Sequence, residues 1–153
     1  MMDWKDINDA PDFSECMNNK EVEAKIVSVY DGDTVKAIFP LNGILLKWNC
    51  RLTGIDTPEI RTRSTSEKQY GYIVRDKLRE KILEKVVVLK CGKLDKYGRL
   101  LVEILCDNKK CNINEWLINN KYAFSYDGGT KKSWSEELDN NNVYTTLFDK
   151  LIK

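Results

Sequence analysis

Apolar and polar positions first alternate in "EAKIVSVY", Glu23 to Tyr30. The stretch is rich in β-branched residues and predicts a strand. "DGD" at Asp31 to Asp33 is a turn, and "TVKAIF" is the second strand. Pro40, Asn42 and Gly43 then break the chain. "ILLKWNCRLTGI", Ile44 to Ile55, reads as a third strand pair or as one long bent strand with Gly54 near its end. "RTRSTSEK" is polar and basic and predicts a loop. The period then changes. Tyr70, Val74, Leu78 and Ile82 recur every four residues with Ile73 beside them, which predicts a helix from Gln69 to about Lys85. "VVVLKC" and "LLVEILC" are short apolar strands, and the turn signal "DKYGR" between them predicts a hairpin.

Beyond the hairpin, "NINEWLINN" predicts a helix capped by Asn112, with Ile113, Trp116 and Leu117 on one face. "YAFSY" is extended, and "SWSE" at Ser133 to Glu136 is a capping box. The tail "VYTTLFDKLIK" places Leu147, Leu151 and Ile152 at helical spacing. The result is an α+β, mainly β pattern of five short strands, with a long helix between the third and fourth and further helices at the C-terminal end. That is the order of a five-stranded OB-fold barrel. Residues 1–22 hold five acids by Glu15 and little periodicity, and read as an extension with one short helical turn. Residues 23–153 read as a single domain.

Charge changes this picture locally. The net charge is +1, but residues 1–60 carry 11 acids against 6 bases, residues 61–99 carry 5 against 12, and residues 100–153 carry 8 against 7. A basic middle third can face a polyanion, although a solvated helix face produces the same count. Arg61, Arg63, Lys68, Lys93 and Lys96 are its members nearest the motifs below, and phosphate contact is assigned to Lys96 and Arg63. The five cysteines are odd in number and include no Cys-x-x-Cys pair, which fits a reducing compartment better than a disulfide framework. Cys106 and Cys111 are the one close pair, and with no histidine beside them the spacing argues against structural zinc. The acidic start lacks an apolar signal core, and no apolar run reaches the ~20 residues of a membrane span. The expectation is an intracellular chain with no membrane partner.

The absence of histidine removes the commonest general base and all serine–histidine and cysteine–histidine mechanisms. No phosphate-binding glycine loop with a trailing lysine is present. Carboxylates, arginines, lysines and tyrosines remain. Carboxylates hold hard cations and arginines grip phosphate with permanent charge, so these parts suit phosphoryl chemistry. Three short motifs concentrate them: "DGDT" from Asp31, "RLTGIDTPE" from Arg51 to Glu59, and "DKYGR" from Asp95 to Arg99. Singly, each is an ordinary turn. "DGDT" does not open an EF-hand, because Val35 and Lys36 occupy its fifth and sixth positions.

Together, "DGDTV", "RLTGIDTPE" and "DKYGR", with the long helix after "EKQYG", resemble the staphylococcal nuclease (thermonuclease) family from about Ala24 to Tyr126. The resemblance implies an OB-fold and Ca²⁺-dependent hydrolysis of phosphodiester bonds in DNA and RNA, leaving 3′-phosphate ends. It implies that Asp33 and Asp56 are the calcium carboxylates and that Thr57 offers its backbone carbonyl, with Asp31 supporting the turn. Glu59 corresponds to the residue that activates or orients the attacking water. Arg51 and Arg99 correspond to the phosphate-binding arginines. Lys96 and Tyr97 lie where the family contacts the nucleotide's terminal phosphate and base, and Tyr126 where it has a phenol near the nucleotide. Phe124 stands where the family nuclease has a tyrosine packing by the base, so a ring is present and its hydroxyl is not. The Thr34–Arg51 connection is several residues longer than the family's. The competing reading is a non-catalytic OB-fold module that binds single-stranded nucleic acid. Both metal acids, the glutamate and both arginines are present together, which favours the nuclease. The chain is expected to act as a monomer.

Overall fold

The computed structural model describes residues 1–140 and 142–152. In chain order it forms β1 (Glu21–Asp31), β2 (Thr34–Leu41), β3 (Ile44–Leu52), β4 (Ile55–Asp56), α1 (Thr65–Ile82), β5 (Val86–Leu94), β6 (Leu100–Cys106), β7 (Cys111–Asn112), α2 (Ile113–Asn119), β8 (Phe124–Ser125), α3 (Trp134–Asn140) and α4 (Asn142–Ile152). β3, β2, β1, β5 and β6 pair in that order, and a parallel β3–β6 pairing closes them into the five-stranded barrel of an OB-fold. Alternation drives this closure. Leu100, Val102, Ile104 and Cys106 of β6 point inward, as do Val87, Leu89 and Cys91 of β5. α1 covers one end of the barrel through Tyr70, Val74, Leu78 and Ile82, all fully buried. α3 adds Trp134 and Leu138 to the same core.

The stretch that begins at Ile44 resolves into two strands, β3 and β4. β4 leaves the barrel and pairs with β8 in a separate two-stranded sheet. α1 begins at Thr65, inside the stretch the polar pattern assigned to a loop. Ser64 caps it, its Oγ accepting the Glu67 N–H at 3.3 Å, so a local cap outweighs a polar composition. The helix ends at Ile82, and Glu84 enters the left-handed region at φ 65°. Pro40 lies within β2 rather than ending it. The turn comes at Asn42 and Gly43, both with positive φ, and the β1 pairing has already stopped at Ile38. In this two-residue hairpin Leu41 and Ile44 form the hydrogen-bonded closing pair, so the proline nitrogen faces away from β3 and meets no strand.

At the N-terminal end, a 3₁₀ turn at Phe13–Glu15 matches the single helical turn expected there. Met17 reaches into the core, and Asn19 and Lys20 exchange backbone hydrogen bonds with Cys91, so contact with the barrel begins before β1. Asn112 caps α2 through the Glu115 N–H at 3.2 Å, and the Ser133 Oγ accepts from the Glu136 N–H at 3.4 Å. Of the tail positions expected on a helical face, Leu147 and Leu151 are half-buried on α4. The Ile152 side chain lies outside the described residues. No helix among the described residues is long and apolar enough to cross a membrane.

Two glycines set how closely α1 approaches the loops above it. A Cβ on Gly71 would sit 2.9 Å from the Glu59 carbonyl oxygen, so only glycine lets the helix back against that loop. A Cβ on Gly32 would sit 2.7 Å from Val74 and 2.8 Å from the Thr57 side chain. The Pro58–Glu59 backbone therefore rests directly on α1 at Gly71, and the β1–β2 turn rests at Gly32 on the side chains of Val74 and Thr57.

Candidate active site

Three pairings of the barrel bring the sequence motifs together. In the β2–β3 hairpin Thr34 faces Arg51, and the Leu52 N–H donates to the Asp33 carbonyl at 2.8 Å. The parallel β3–β6 pairing sets Leu100 opposite Cys50 and Leu101 opposite Arg51, so Arg99 arrives beside Arg51. The β4–β8 pairing sets Asp56 opposite Phe124, fixing Asp56 against the C-terminal segment. Asp31, Asp33, Arg51, Glu59, Arg61, Arg99 and Lys131 line one cleft of about 340 Å³. A neighbouring cleft of about 580 Å³ shares Arg51, Arg99 and Lys131 and adds Asp95, Tyr97 and Tyr126.

Asp33 and Asp56 are buried, and each faces a cation. Asp33 is 8% exposed, and its Oδ2 lies 3.3 Å from the Arg51 Nη2. It also accepts from the Thr57 N–H at 3.4 Å and, through Oδ1, from the Thr34 hydroxyl at 3.1 Å. Arg51 also donates to the Leu52 carbonyl and, at 2.9 Å, to the Ile55 carbonyl, so its fork is held on three sides. Asp56 is 5% exposed, and Lys131 Nζ lies 3.3 Å from its Oδ1. Burial raises the Asp56 carboxyl, and Lys131 works against that rise. Asp31 is pushed up to about 7, first by burial and then by the charge of Asp33, whose N–H it accepts at 3.1 Å.

Thr57 is 2% exposed and its hydroxyl oxygen has no hydrogen-bond partner. A buried polar atom left unpaired beside two buried carboxylates is unusual enough to need a reason. Carboxylate oxygens and a threonine oxygen form an all-oxygen donor set, which fits a hard divalent cation.

Glu59 has a different environment. Its side chain is exposed and reaches the same cleft, while its backbone N–H donates to Glu67 Oε2 at 2.9 Å. Burial raises the Glu67 carboxyl and that hydrogen bond opposes the rise. Asp95 organises the other side. Its Oδ1 accepts from the Tyr97 and Arg99 backbone N–H groups, each at 2.9 Å, and its Oδ2 holds Arg99 Nε at 2.9 Å.

The residues expected to contact a nucleotide separate. Tyr97 is 71% exposed, with Lys96 Nζ 5.1 Å and Arg99 Cζ 5.3 Å from its ring centroid. Tyr126 lines the larger cleft, and its hydroxyl donates to the Gly129 carbonyl at 2.9 Å. Phe124 does not join them: it is buried, with Trp134 stacked on it at 3.9 Å and Tyr144 edge-on at 5.4 Å. Its missing hydroxyl suits that apolar aromatic cluster. Arg61, not Arg63, lines the cleft, and Lys93 pairs with Glu15 at 3.1 Å.

Lys131, Glu67 and Asp95 were not singled out from the sequence. Glu67 was signalled by the capping pattern Ser64-x-x-Glu67, and Asp95 by its place at the start of "DKYGR". Lys131 has no local signal, because its role depends on where the loop after β8 returns. Away from both clefts, Cys106, Asp107 and Cys111 bring three donor atoms within 4.8 Å of one another. Among the described residues this is the only such group of three histidine, cysteine or carboxylate side chains. The cleft instead offers carboxylates alongside threonine oxygens.

A family model described as staphylococcal nuclease homologue matches residues 49–143, which include Arg51, Asp56, Glu59 and Arg99; Asp33 lies upstream of the match. An uncharacterized protein of Methanocaldococcus jannaschii is 34% identical, over 67% of this chain and 58% of its own length. Proteins described as uncharacterized endonucleases from Escherichia coli O157:H7 and Escherichia coli are each 24% identical, over 70% of this chain and 63% of their own length. The chain thus spans roughly three fifths of the curated relatives it matches. The family match covers well over half of the sequence and the barrel closes as that family's fold requires, so the chain belongs to the staphylococcal nuclease homologue family.

Proposed function

We propose that the chain is a Ca²⁺-dependent nuclease that hydrolyses phosphodiester bonds of DNA and RNA in single-stranded or locally opened segments. The observation that carries this reading is the shared cleft: Asp33, Arg51, Glu59 and Arg99 come from three separate motifs in the sequence and line one cleft. Asp33, Asp56 and the Thr57 carbonyl are the groups that would hold the cation. A bound Ca²⁺ supplies positive charge against the oxygens of the scissile phosphate.

The chain's own residues do the rest. Glu59 is exposed at the cleft while its main chain is held by Glu67, so its carboxylate can take a proton from, or aim, a water in line with the phosphorus. As the water oxygen bonds to phosphorus, the bond to the 5′ oxygen breaks and that oxygen takes a proton from solvent. The downstream fragment leaves with a 5′ hydroxyl, and the upstream fragment keeps the phosphate on its 3′ oxygen. Arg51 and Arg99 provide fixed charge where the non-bridging oxygens gain charge, and both are preorganised, by Asp33 and Asp95 respectively. Tyr97 offers an exposed ring for stacking a base, with Lys96 and Lys131 placed for neighbouring phosphates.

Denatured DNA and RNA, each incubated with protein in Ca²⁺ or in excess EGTA, test this directly. Cleavage in Ca²⁺ alone, with 3′-phosphate termini, is expected. Equal activity in EGTA would remove the calcium assignment. Binding without cleavage in either condition would leave the binding-module reading.

A further inference from the structure

At the end of β6 remote from Arg99, Cys106 and Cys111 face each other across the β6–β7 pair. Asp107 joins them, and the ligand atoms of all three lie within 4.8 Å of one another. The Cys106 thiol already points its proton at Asp107 Oδ2, 3.7 Å away. Cys106 is buried, Cys111 half-buried and Asp107 exposed, so the group opens to solvent on the carboxylate side. The scaffold is anchored on both flanks. Lys109 of the connecting loop pairs with Glu21 at 2.8 Å, and Cys111 directly precedes Asn112, the cap of α2. The loop itself is tightly wound, with Asp107, Asn108 and Lys109 at φ 54°, 56° and 67°. Three consecutive non-glycine residues in the left-handed region are uncommon.

We propose that Cys106, Asp107 and Cys111 form a binding site for one thiophilic divalent cation of the Zn²⁺ class, with solvent as the fourth ligand. Zinc–sulfur bonds of ~2.3 Å and zinc–oxygen bonds of ~2.0–2.2 Å place tetrahedral ligands about 3.5–3.8 Å apart. Small side-chain rotations close the present separations to that distance. Burial, then the neighbouring Cys111, and then Asp107 push the Cys106 thiol up to about 12. A cation at the centre offsets these effects and displaces the thiol protons, so affinity rises with pH. Softness separates this site from the cleft: thiolates select zinc-like ions, and an all-oxygen set suits calcium. Seven residues of strand place Cys106 about 20 Å from Arg99, so the ion would fasten the β6–β7 hairpin to the start of α2 and take no part in phosphodiester chemistry. Cysteine spacing alone argued against zinc because it supplies two ligands. The third, Asp107, comes from the winding of the loop.

Reduced full-length protein titrated with Cd²⁺ should develop a thiolate-to-cadmium charge-transfer band that saturates at one ion per chain. Zn²⁺ should displace the Cd²⁺ and raise the melting temperature. Cys111→Ser and Cys106→Ser should lose the band, while Cys16→Ser keeps it. Asp107→Ala changes an exposed side chain, and the cost of alanine at φ 54° is read separately as the melting temperature of the metal-free variant. The substitution should weaken the ion at least as much as loss of an outer-shell partner does, about 10- to 100-fold. No band in the reduced wild-type protein would overturn the proposal, and so would a band that persists at full strength in Cys111→Ser. A Cys106–Cys111 disulfide in mildly reduced protein that takes up neither ion would also overturn it. If Cys106→Ser does not fold, Cys111→Ser and Asp107→Ala carry the test.

Discussion

The two ends of β6 hold opposite kinds of chemistry on one rigid strand. At the Leu100 end, carboxylates and guanidiniums converge from the β1–β2 turn, β3, the segment after β4 and the β5–β6 turn. At the Cys106 end, two thiols and one carboxylate come from a single short hairpin. The first group is non-local and depends on barrel closure. The second is local and depends on one loop. The lesson is that distance along the chain predicts which group a distant mutation disturbs. Anything that loosens the barrel or α1 affects the cleft first, and the hairpin group responds mainly to its own residues.

The largest expected effect is at the cleft end. Glu59→Gln should lower kcat by about 10²- to 10⁴-fold with little change in Ca²⁺ or substrate affinity, measured by steady-state kinetics and calorimetry. Asp107→Ala, at the other end of the strand, should leave kcat within about twofold, because it touches no group of the cleft. Equal losses in both variants would break the distinction between the two ends.

Next in size is Gly71→Ala. Overpacking against the Glu59 carbonyl costs about 1–3 kcal/mol, offset by about 1 kcal/mol of helix propensity. A net loss of up to ~2 kcal/mol in urea unfolding is expected, together with reduced activity, because the loop that moves carries Glu59. A variant as stable and active as the wild type would show that the close approach of α1 does not govern the site.

A smaller effect comes from Asp31, whose carboxyl is raised to about 7 by burial and the charge of Asp33. Between an ordinary carboxylate value and 7, the unfolded chain loses this proton before the folded one does. Stability therefore falls as pH rises through that window, and the loss is complete above it. Asp31→Asn keeps an oxygen for the Asp33 N–H, so in EGTA it should melt higher than the wild type at alkaline pH and level with it at acid pH. Thermal melts at the two extremes decide the point, and identical pH profiles would count against it.

The smallest is Lys131→Met. Removing one cation from the wall shared by the two clefts should flatten the dependence of log K on log salt for single-stranded DNA by about 0.7. An unchanged slope would mean that Lys131 serves only Asp56.

Much of the fold was legible because its signals are local. The four-residue period of Tyr70, Val74, Leu78 and Ile82 marked α1, and the caps at Asn112 and Ser133 marked the starts of later helices. Misplaced boundaries have equally local causes. Ser64 starts α1 earlier than its apolar stripe begins, and Pro40 is tolerated in β2 because its nitrogen faces no strand. The site was legible as three motifs whose residue types suit one chemistry. Its supporting residues were less so, since Lys131 acts on Asp56 from a part of the chain with no pattern of its own. Phe124 holds the position of a ring that packs by the base in the family, and here Trp134 stacks on it.

The amino-acid sequence by itself therefore determined the strands, the long helix, the absence of imidazole chemistry and the oxygen-and-guanidinium character of the motifs. Each follows from periodicity or residue type within a few positions. Tertiary structure alone decided that Arg99 stands beside Arg51, that Lys131 meets Asp56, that Phe124 is core, and that Asp107 turns toward two thiols. The first three depend on pairing partners far apart in the chain, and the last on three successive left-handed residues that spacing does not reveal.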